Sequence, residues 1–255
     1  MVKIGERIFE FPPLFEGVLI RRYKRFLADI QLDSGEMVTA HCANTGPMKG
    51  VLIPGGKVRL KFAPSPKRKL DWSWEQSEVE GEENGSACWV GVNTSLPNKL
   101  IRKTIEEECL HNQLGPIKSI RQEVVYGLDR KSRIDLLLEP GITNQDNRLI
   151  YVEVKNTTWK EGSFGLFPDT VTTRGQKHLK ELMGVCSQSR SILVPCISRI
   201  DVEIFAPGDT ADSMYGNLFR EALQKGVEVI PCCFGFYRDH ITWEGVKPFR
   251  KFAND

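Results

Sequence analysis

In the segment Ile150-Tyr151-Val152-Glu153-Val154-Lys155 apolar residues alternate with the rest, the period of a half-buried β-strand. Alternation puts Ile150, Val152 and Val154 on one face and Tyr151, Glu153 and Lys155 on the other. Glu153 and Lys155 are then neighbours, roughly 6.6–6.8 Å apart along the strand. A carboxylate and an ammonium among hydrophobic residues must be paired or put to use. Upstream, Ile134-Asp135-Leu136-Leu137-Leu138 sets one acid inside an apolar run, 18 residues before Glu153. The turn-rich stretch from Pro140 to Asn147 makes a long hairpin loop, so the two carboxylates can meet on adjacent strands.

Two such oxygen donors suit a hard divalent cation, Mg2+ or Mn2+, which keeps several waters and takes phosphate oxygens as further ligands. The adjacent lysine would orient an attacking water and stabilise charge developing on a phosphate. Glu123, 12 residues before Asp135, is a candidate third carboxylate. By itself the Glu153–Lys155 pair also reads as a structural salt bridge.

The elements that must position these residues fall into two kinds. Residues 1–70 read as short strands at 17–20, 26–32, 37–41 and 58–62, separated by Asp33-Ser34-Gly35 and Pro54-Gly55-Gly56 turns. That pattern predicts a small OB-like β-barrel, a fold that often carries basic and aromatic residues for single strands. Arg22-Tyr23-Lys24-Arg25-Phe26 has that mixture, with Phe26 read as core and Tyr23 left open. The acidic stretch Glu78-Val79-Glu80-Gly81-Glu82-Glu83-Asn84-Gly85 marks a hairpin tip or the domain junction. Beyond it helices and strands mix. Asn98 caps a helix to about residue 111; strands follow at 119–126, 132–138 and 149–155, and a helix at 173–183. Strands at 191–194 and 201–205, a helix at 213–225 and a strand at 227–231 complete the pattern. The expected fold is all-β plus α/β: a barrel over residues 1–84, then an α/β domain with a central mixed sheet over residues 85–255.

Charge divides along the same line. Residues 1–70 hold 13 Lys+Arg against 6 Asp+Glu, and residues 71–255 hold 22 against 27. From Met37 to Leu70 there are seven basic residues and no acidic one. Arg21, Arg22, Lys24, Arg25, Lys67, Arg68 and Lys69 therefore become candidate nucleic-acid contacts, the other reading being a solvated face balanced by the acidic half. Asn44-Thr45-Gly46 makes a tight turn beside this tract, where Asn44 could meet a phosphate backbone. In the helix after Thr170–Thr173, Arg174 and Lys177 sit near an N-terminus that favours anions. Lys177 reads equally as a solvated first turn, Asp169 as a helix cap and His178 as a structural histidine.

Other chemistries are disfavoured. Seven scattered cysteines without Cys-x-x-Cys spacing read as reduced, mostly buried thiols. His41 and Cys42 point to opposite faces of a strand, and His111 and His240 lack ligand-spaced partners. No apolar run spans a bilayer and no signal peptide opens the chain, so no membrane partner and a cytoplasmic location are expected.

The chain also resembles the sugar fermentation stimulation protein A (SfsA) family across nearly its whole length. The likeness is carried by His41-Cys42-Ala43-Asn44-Thr45-Gly46-Pro47-Met48, Gly91-Val92-Asn93-Thr94, Ser132-Arg133-Ile134-Asp135 and Glu153-Val154-Lys155-Asn156. Most specific is Phe167-Pro168-Asp169-Thr170-Val171-Thr172-Thr173-Arg174-Gly175-Gln176-Lys177-His178-Leu179. Asp135 followed by Glu153-Val154-Lys155 looks like the PD-(D/E)xK signature of restriction-endonuclease-like domains, with Ile134 where that motif is named for proline. The resemblance implies an OB-like domain joined to a nuclease-like domain, and binding of DNA. It implies catalytic roles for Asp135, Glu153 and Lys155, Glu123 upstream, and a metal set of Asp135 and Glu153 that includes the intervening Val154. The expected function is a DNA-binding protein with a metal-dependent phosphodiesterase site. The alternative is a non-enzymatic DNA-binding regulator of sugar metabolism with a degenerate site. Single- and double-stranded DNA stay open as ligands, and RNA as well.

Overall fold

A computed structural model describes residues 2–81, 87–127 and 132–252. In chain order the first seven strands are β1 (Arg7–Glu10), β2 (Leu14–Tyr23), β3 (Leu27–Leu32), β4 (Met37–His41), β5 (Lys57–Phe62), β6 (Trp72–Glu80) and β7 (Ala87–Gly91). Two helices, α1 (Pro97–Glu106) and α2 (His111–Leu114), lead to β8 (Ile117–Tyr126), β9 (Ser132–Pro140) and β10 (Ile150–Thr157). Then come β11 (Trp159–Glu161), β12 (Phe164–Phe167), α3 (Thr173–Val185), β13 (Arg190–Ile197), β14 (Ile204–Pro207), α4 (Ser213–Gln224), β15 (Glu228–Val229), β16 (Cys232–Phe236) and β17 (His240–Val246).

Strands β2 to β6 close a barrel. The sheet runs β4-β3-β2-β5-β6-β7, and β4 also pairs with β6 in parallel, which removes the open edges. Each strand sends alternate side chains inward, and Leu19, Ala28, Ile30, Ala40, Leu60 and Trp74 fill the interior. This is the expected OB-like architecture, with two adjustments. The 84/85 division lies outside the described residues, and β7 beyond it pairs with β6, so the barrel sheet continues to Gly91. At the other end β1 leaves the barrel entirely and pairs antiparallel with β17. Its buried Ile8 joins the core beneath α1 instead. Phe26, expected in the core, stands 45% exposed at the β2–β3 turn.

The second sheet has the order β1-β17-β16-β13-β10-β9-β8, with β15 beside β13. Parallel pairings of β13 with β10, β15 and β16, and antiparallel ones elsewhere, make it the mixed sheet expected. Helix α1 covers one face through Leu100, Ile101 and Ile105, packed with Ile150, Val152 and Val154. Helices α3 and α4 cover the other through Leu179, Leu182, Leu218 and Phe219. A small sheet, β11-β12-β14, flanks it.

Three local readings change. Asn98 is not a cap: α1 starts at Pro97, whose fixed φ suits the first helical position. That helix ends at Glu106, and His111 begins a separate turn. The strand expected at 201–205 forms at Ile204–Pro207, because Asp201 is held by the Arg199 guanidinium. All seven cysteines are free and five are buried. No helix among the described residues is long and apolar enough to cross a membrane.

Candidate active site in the interdomain cleft

Strand β10 bonds β13 along its whole length but β9 only from Ile150 to Val152. One step past the last pair, Val152 with Leu136, the register sets Glu153 across from Asp135. The strands part there, and side chains take over the bonding. The Val154 amide donates to Asp135 Oδ2 at 2.7 Å, and Asn98 Nδ2 in the first turn of α1 donates to Oδ1 at 2.8 Å. In an extended strand the amide and carbonyl of one residue point the same way, so the Val154 carbonyl also faces this gap. Burial and then the neighbouring Glu153 carboxylate push Asp135 above the usual carboxylate value.

Glu153 is 1% exposed and faces α3. Its Oε1 accepts from Lys155 Nζ at 2.5 Å and contacts His178 Nδ1. Burial alone would raise Glu153, but the Lys155 ammonium and the His178 contact outweigh it and hold the carboxyl below its usual value. Arg174 Nε donates to the other ring nitrogen, His178 Nε2, at 3.4 Å. Lys155 Nζ lies 2.9 Å from the same Nδ1, completing a compact triangle. Glu153 Oε2 is buried without a hydrogen-bond partner. That leftover acceptor, next to a second carboxylate and a backbone carbonyl, fits a divalent cation that keeps part of its water. No cluster of three or more His, Cys, Asp or Glu side chains placed to hold a metal ion occurs among the described residues.

The residues line a cleft of about 350 Å³ between the two domains. Asn44 and Gly46 of the barrel form one wall; Asp135, Glu153, Lys155, Asn98, Arg174 and His178 lie on the other side. The Asn44 side chain accepts from the Gly46 amide at 2.9 Å, fixing the expected turn. Lys49 clamps the domains: its amide reaches Asp169 Oδ2 at 3.3 Å, its Nζ reaches Glu161 at 3.0 Å and covers the Trp159 ring at 3.7 Å.

The structure brings Asp135, Glu153, Val154, Lys155, Asn44 and Arg174 together and leaves others apart. Glu123 is exposed, with φ +53°, and is not in the cleft lining. Its carbonyl accepts from Arg133, and Asn98 rather than Glu123 supports Asp135. Lys177 is exposed and pairs with Glu181 at 3.4 Å. The α3 cap is Thr172, which accepts from Gly175, so Asp169 is a cleft residue rather than a cap. On the barrel, Arg22 donates to the Arg25 and Asn44 carbonyls and Arg25 to the Thr45 carbonyl, so both buttress the cleft wall. Arg21 pairs with Asp29 at 2.8 Å. Lys57, Arg59 and Lys61 pair with Glu78, Glu16 and Glu75. Lys24, Lys67 and Lys69 are exposed with no ion pair to a described carboxylate, and Arg68 bonds Ala63 and Ser73. Sequence reasoning missed the bond from Asn98 to Asp135, and His178, read as a structural histidine, is buried with its ring against Glu153. The signal available for His178 was its four-residue spacing from Arg174, which puts both on one helix face.

Residues 20–92 match the family described as SfsA N-terminal OB domain, and residues 95–240 the one described as Sugar fermentation stimulation protein RE domain. The chain belongs to the SfsA family. A sugar fermentation stimulation protein homolog of Prochlorococcus marinus (strain NATL2A) is 71% identical over 98% of this chain and 97% of its own. The homolog of Synechococcus sp. (strain CC9902) is 66% identical over 97% of this chain and 99% of its own. Among solved structures, SfsA of Pyrococcus furiosus, in complex with Ca2+, is 26% identical. It superposes with a TM-score of 0.83 over 96% of this chain and 100% of that one. Both SfsA domains are thus matched along the chain, the OB domain over the barrel and the second over the α/β domain.

Proposed function

We propose that the chain is a DNA-binding protein with a divalent-metal-dependent phosphodiesterase site, using Mg2+ or Mn2+. The observation that carries this reading is the buried Oε2 of Glu153, left without a hydrogen-bond partner at the register position opposite Asp135 where the β9–β10 pairing has opened. Asp135 and Glu153, with the Val154 carbonyl, would hold the ion. The Ca2+ bound by the Pyrococcus furiosus relative supports a divalent cation in this family. When bound, such an ion supplies Lewis acidity at a phosphoryl oxygen and an acidified water.

The chain's own residues supply the rest. Asn98 and the Val154 amide fix Asp135, and His178 occupies Glu153 Oε1 so that Oε2 is left for the cation. Lys155, 13% exposed at its side chain, orients the attacking water and offsets negative charge growing on the phosphate. Arg174, at the rim in the first turn of α3, receives the phosphate together with the helix N-terminus.

The test is incubation of purified protein with DNA and Mn2+ or Mg2+. Wild type is expected to cleave, and Glu153→Ala to lose cleavage while retaining DNA binding. Cleavage persisting in Glu153→Ala after contaminant controls would remove the assignment, and absence of cleavage by wild type would favour the regulatory role.

A further inference from the structure

A second pocket, of about 600 Å³, opens on the barrel where the β2–β3 turn meets the segment after β5. Its apolar surface comes from Phe26, Leu27 and Leu70, and its rim carries Lys24 and Lys69. No acidic residue lines it. Phe26 is held out of the core: its carbonyl accepts from the Cys42 amide at 2.8 Å while its ring remains 45% exposed. The turn beneath it is built at a cost. Lys24 and Arg25 both take positive φ, +49° and +66°, which non-glycine residues rarely adopt, and Arg22 holds them there through the Arg25 carbonyl. Arg68, also exposed, anchors the opposite side by donating to Ala63 and Ser73, while Lys24 and Lys69 stand on the rim without an ion pair to a described carboxylate.

An exposed ring flanked by lysines, with no carboxylate in the lining, matches a nucleobase attached to phosphates. In a duplex both base faces are already covered by neighbouring pairs, so a ring at a pocket floor takes an unpaired base. His41, on the pocket wall, is three residues from Asn44, on the cleft wall. Chain geometry limits their separation to roughly 11 Å. The segment joining the two pockets is the one braced by Arg22 and Arg25.

We infer that this pocket seats an unpaired base of the DNA that enters the cleft, which makes single-stranded DNA, or a single-stranded tail, the substrate class. The link to the cleft rests on the proposed phosphodiesterase reading; capture of the base does not.

The two are separated by measuring binding with divalent ions removed by chelation. Fluorescence anisotropy with an oligothymidylate and with a duplex of equal length reads the pocket alone. Wild type should bind the single strand more tightly. Phe26→Ala should weaken that binding roughly 5- to 150-fold, the range for loss of one stacked base, and leave duplex binding unchanged. Phe26→Tyr should restore it. Since Phe26 is outside the core, the urea midpoint of Phe26→Ala should match wild type, and this is measured alongside. Unchanged single-strand binding by a folded Phe26→Ala, or equal losses on single strand and duplex, overturns the inference. Failure of wild type to cleave with Mn2+ would instead overturn the phosphodiesterase reading, while the anisotropy comparison would still decide whether the pocket holds a base.

Discussion

Asn98 Nδ2 donates to Asp135 Oδ1 at 2.8 Å, tying the first turn of α1 to a strand 37 residues further along the chain. The bond orients a carboxylate that burial and Glu153 already push towards its neutral form. Its loss should loosen Asp135 and weaken cation binding. Asn98→Ala is expected to reduce Mn2+ affinity by roughly 10- to 100-fold, the usual effect of removing a group that orients a ligand. Calorimetric titration measures this, and wild-type affinity in the variant would show that Val154 suffices to hold Asp135.

Gly91 in β7 packs against the ring of Phe236 in β16, and a Cβ there would lie 2.2 Å from the ring carbons. Gly91→Ala should therefore destabilise the domain contact by about 1–3 kcal/mol, the range for overpacking. The double variant with Phe236→Leu should recover part of it. Urea denaturation midpoints decide; equal midpoints for wild type and Gly91→Ala would mean that the ring moves aside freely.

Asp212 caps α4 through the Tyr215 amide and also accepts from the Thr172 amide and Gln176 Nε2, joining α4 to the helix that carries His178. Burial opposes its charge, but the Thr172 and Tyr215 amides outweigh that and hold its pKa below the ordinary 3.8. A lowered folded-state pKa gives stability that is present above 3.8 and lost as pH falls through the folded value. Asp212→Ala should cost about 0.5–2 kcal/mol at neutral pH from the cap alone. The gap from wild type should shrink in acid. Urea titrations at neutral pH and well below 3.8 test the sign, and a gap that widens in acid would contradict it.

The basic tract is two populations. Lys57, Arg59 and Lys61 face carboxylates, whereas Lys67 and Lys69 face solvent. Neutralising Lys67 and Lys69 should lower the salt slope of single-strand binding by about 0.7 for each phosphate that is no longer neutralised. Lys57→Ala should leave it unchanged. Equal slopes for all variants would mean that none of these cations meets a phosphate.

Where local pattern determined structure, the sequence was readable. Strict alternation from Ile150 to Lys155 placed Glu153 and Lys155 on one face, and the spacing of Leu179, Leu182 and Met183 after Thr170–Thr173 located α3. Features created by distant contacts were not. Asn98 looks like a cap in isolation, and only the packing of α1 on β9 and β10 turns its amide to Asp135. His178 is indistinguishable from a core histidine until β10 brings Glu153 beside it. Nothing local marks Glu123 as exposed, because a positive φ within β8 interrupts the alternation there. Phe26 was misjudged for the same reason: hydrophobicity predicts burial, and a strained turn opposed it.

The pairing of β1 with β17 joins Arg7 to Thr242. On a ribosome β1 must wait for β17, while every partner the barrel needs has appeared by Gly91. The barrel can therefore mature during translation with β1 held as an unpaired edge, and the α/β sheet closes only once β17 has emerged. The barrel is thus an insertion between the first strand of that sheet and the rest. Cutting the chain between barrel and α/β domain would separate β1 from its partner strand, and a fragment containing the cleft residues alone would inherit an open edge.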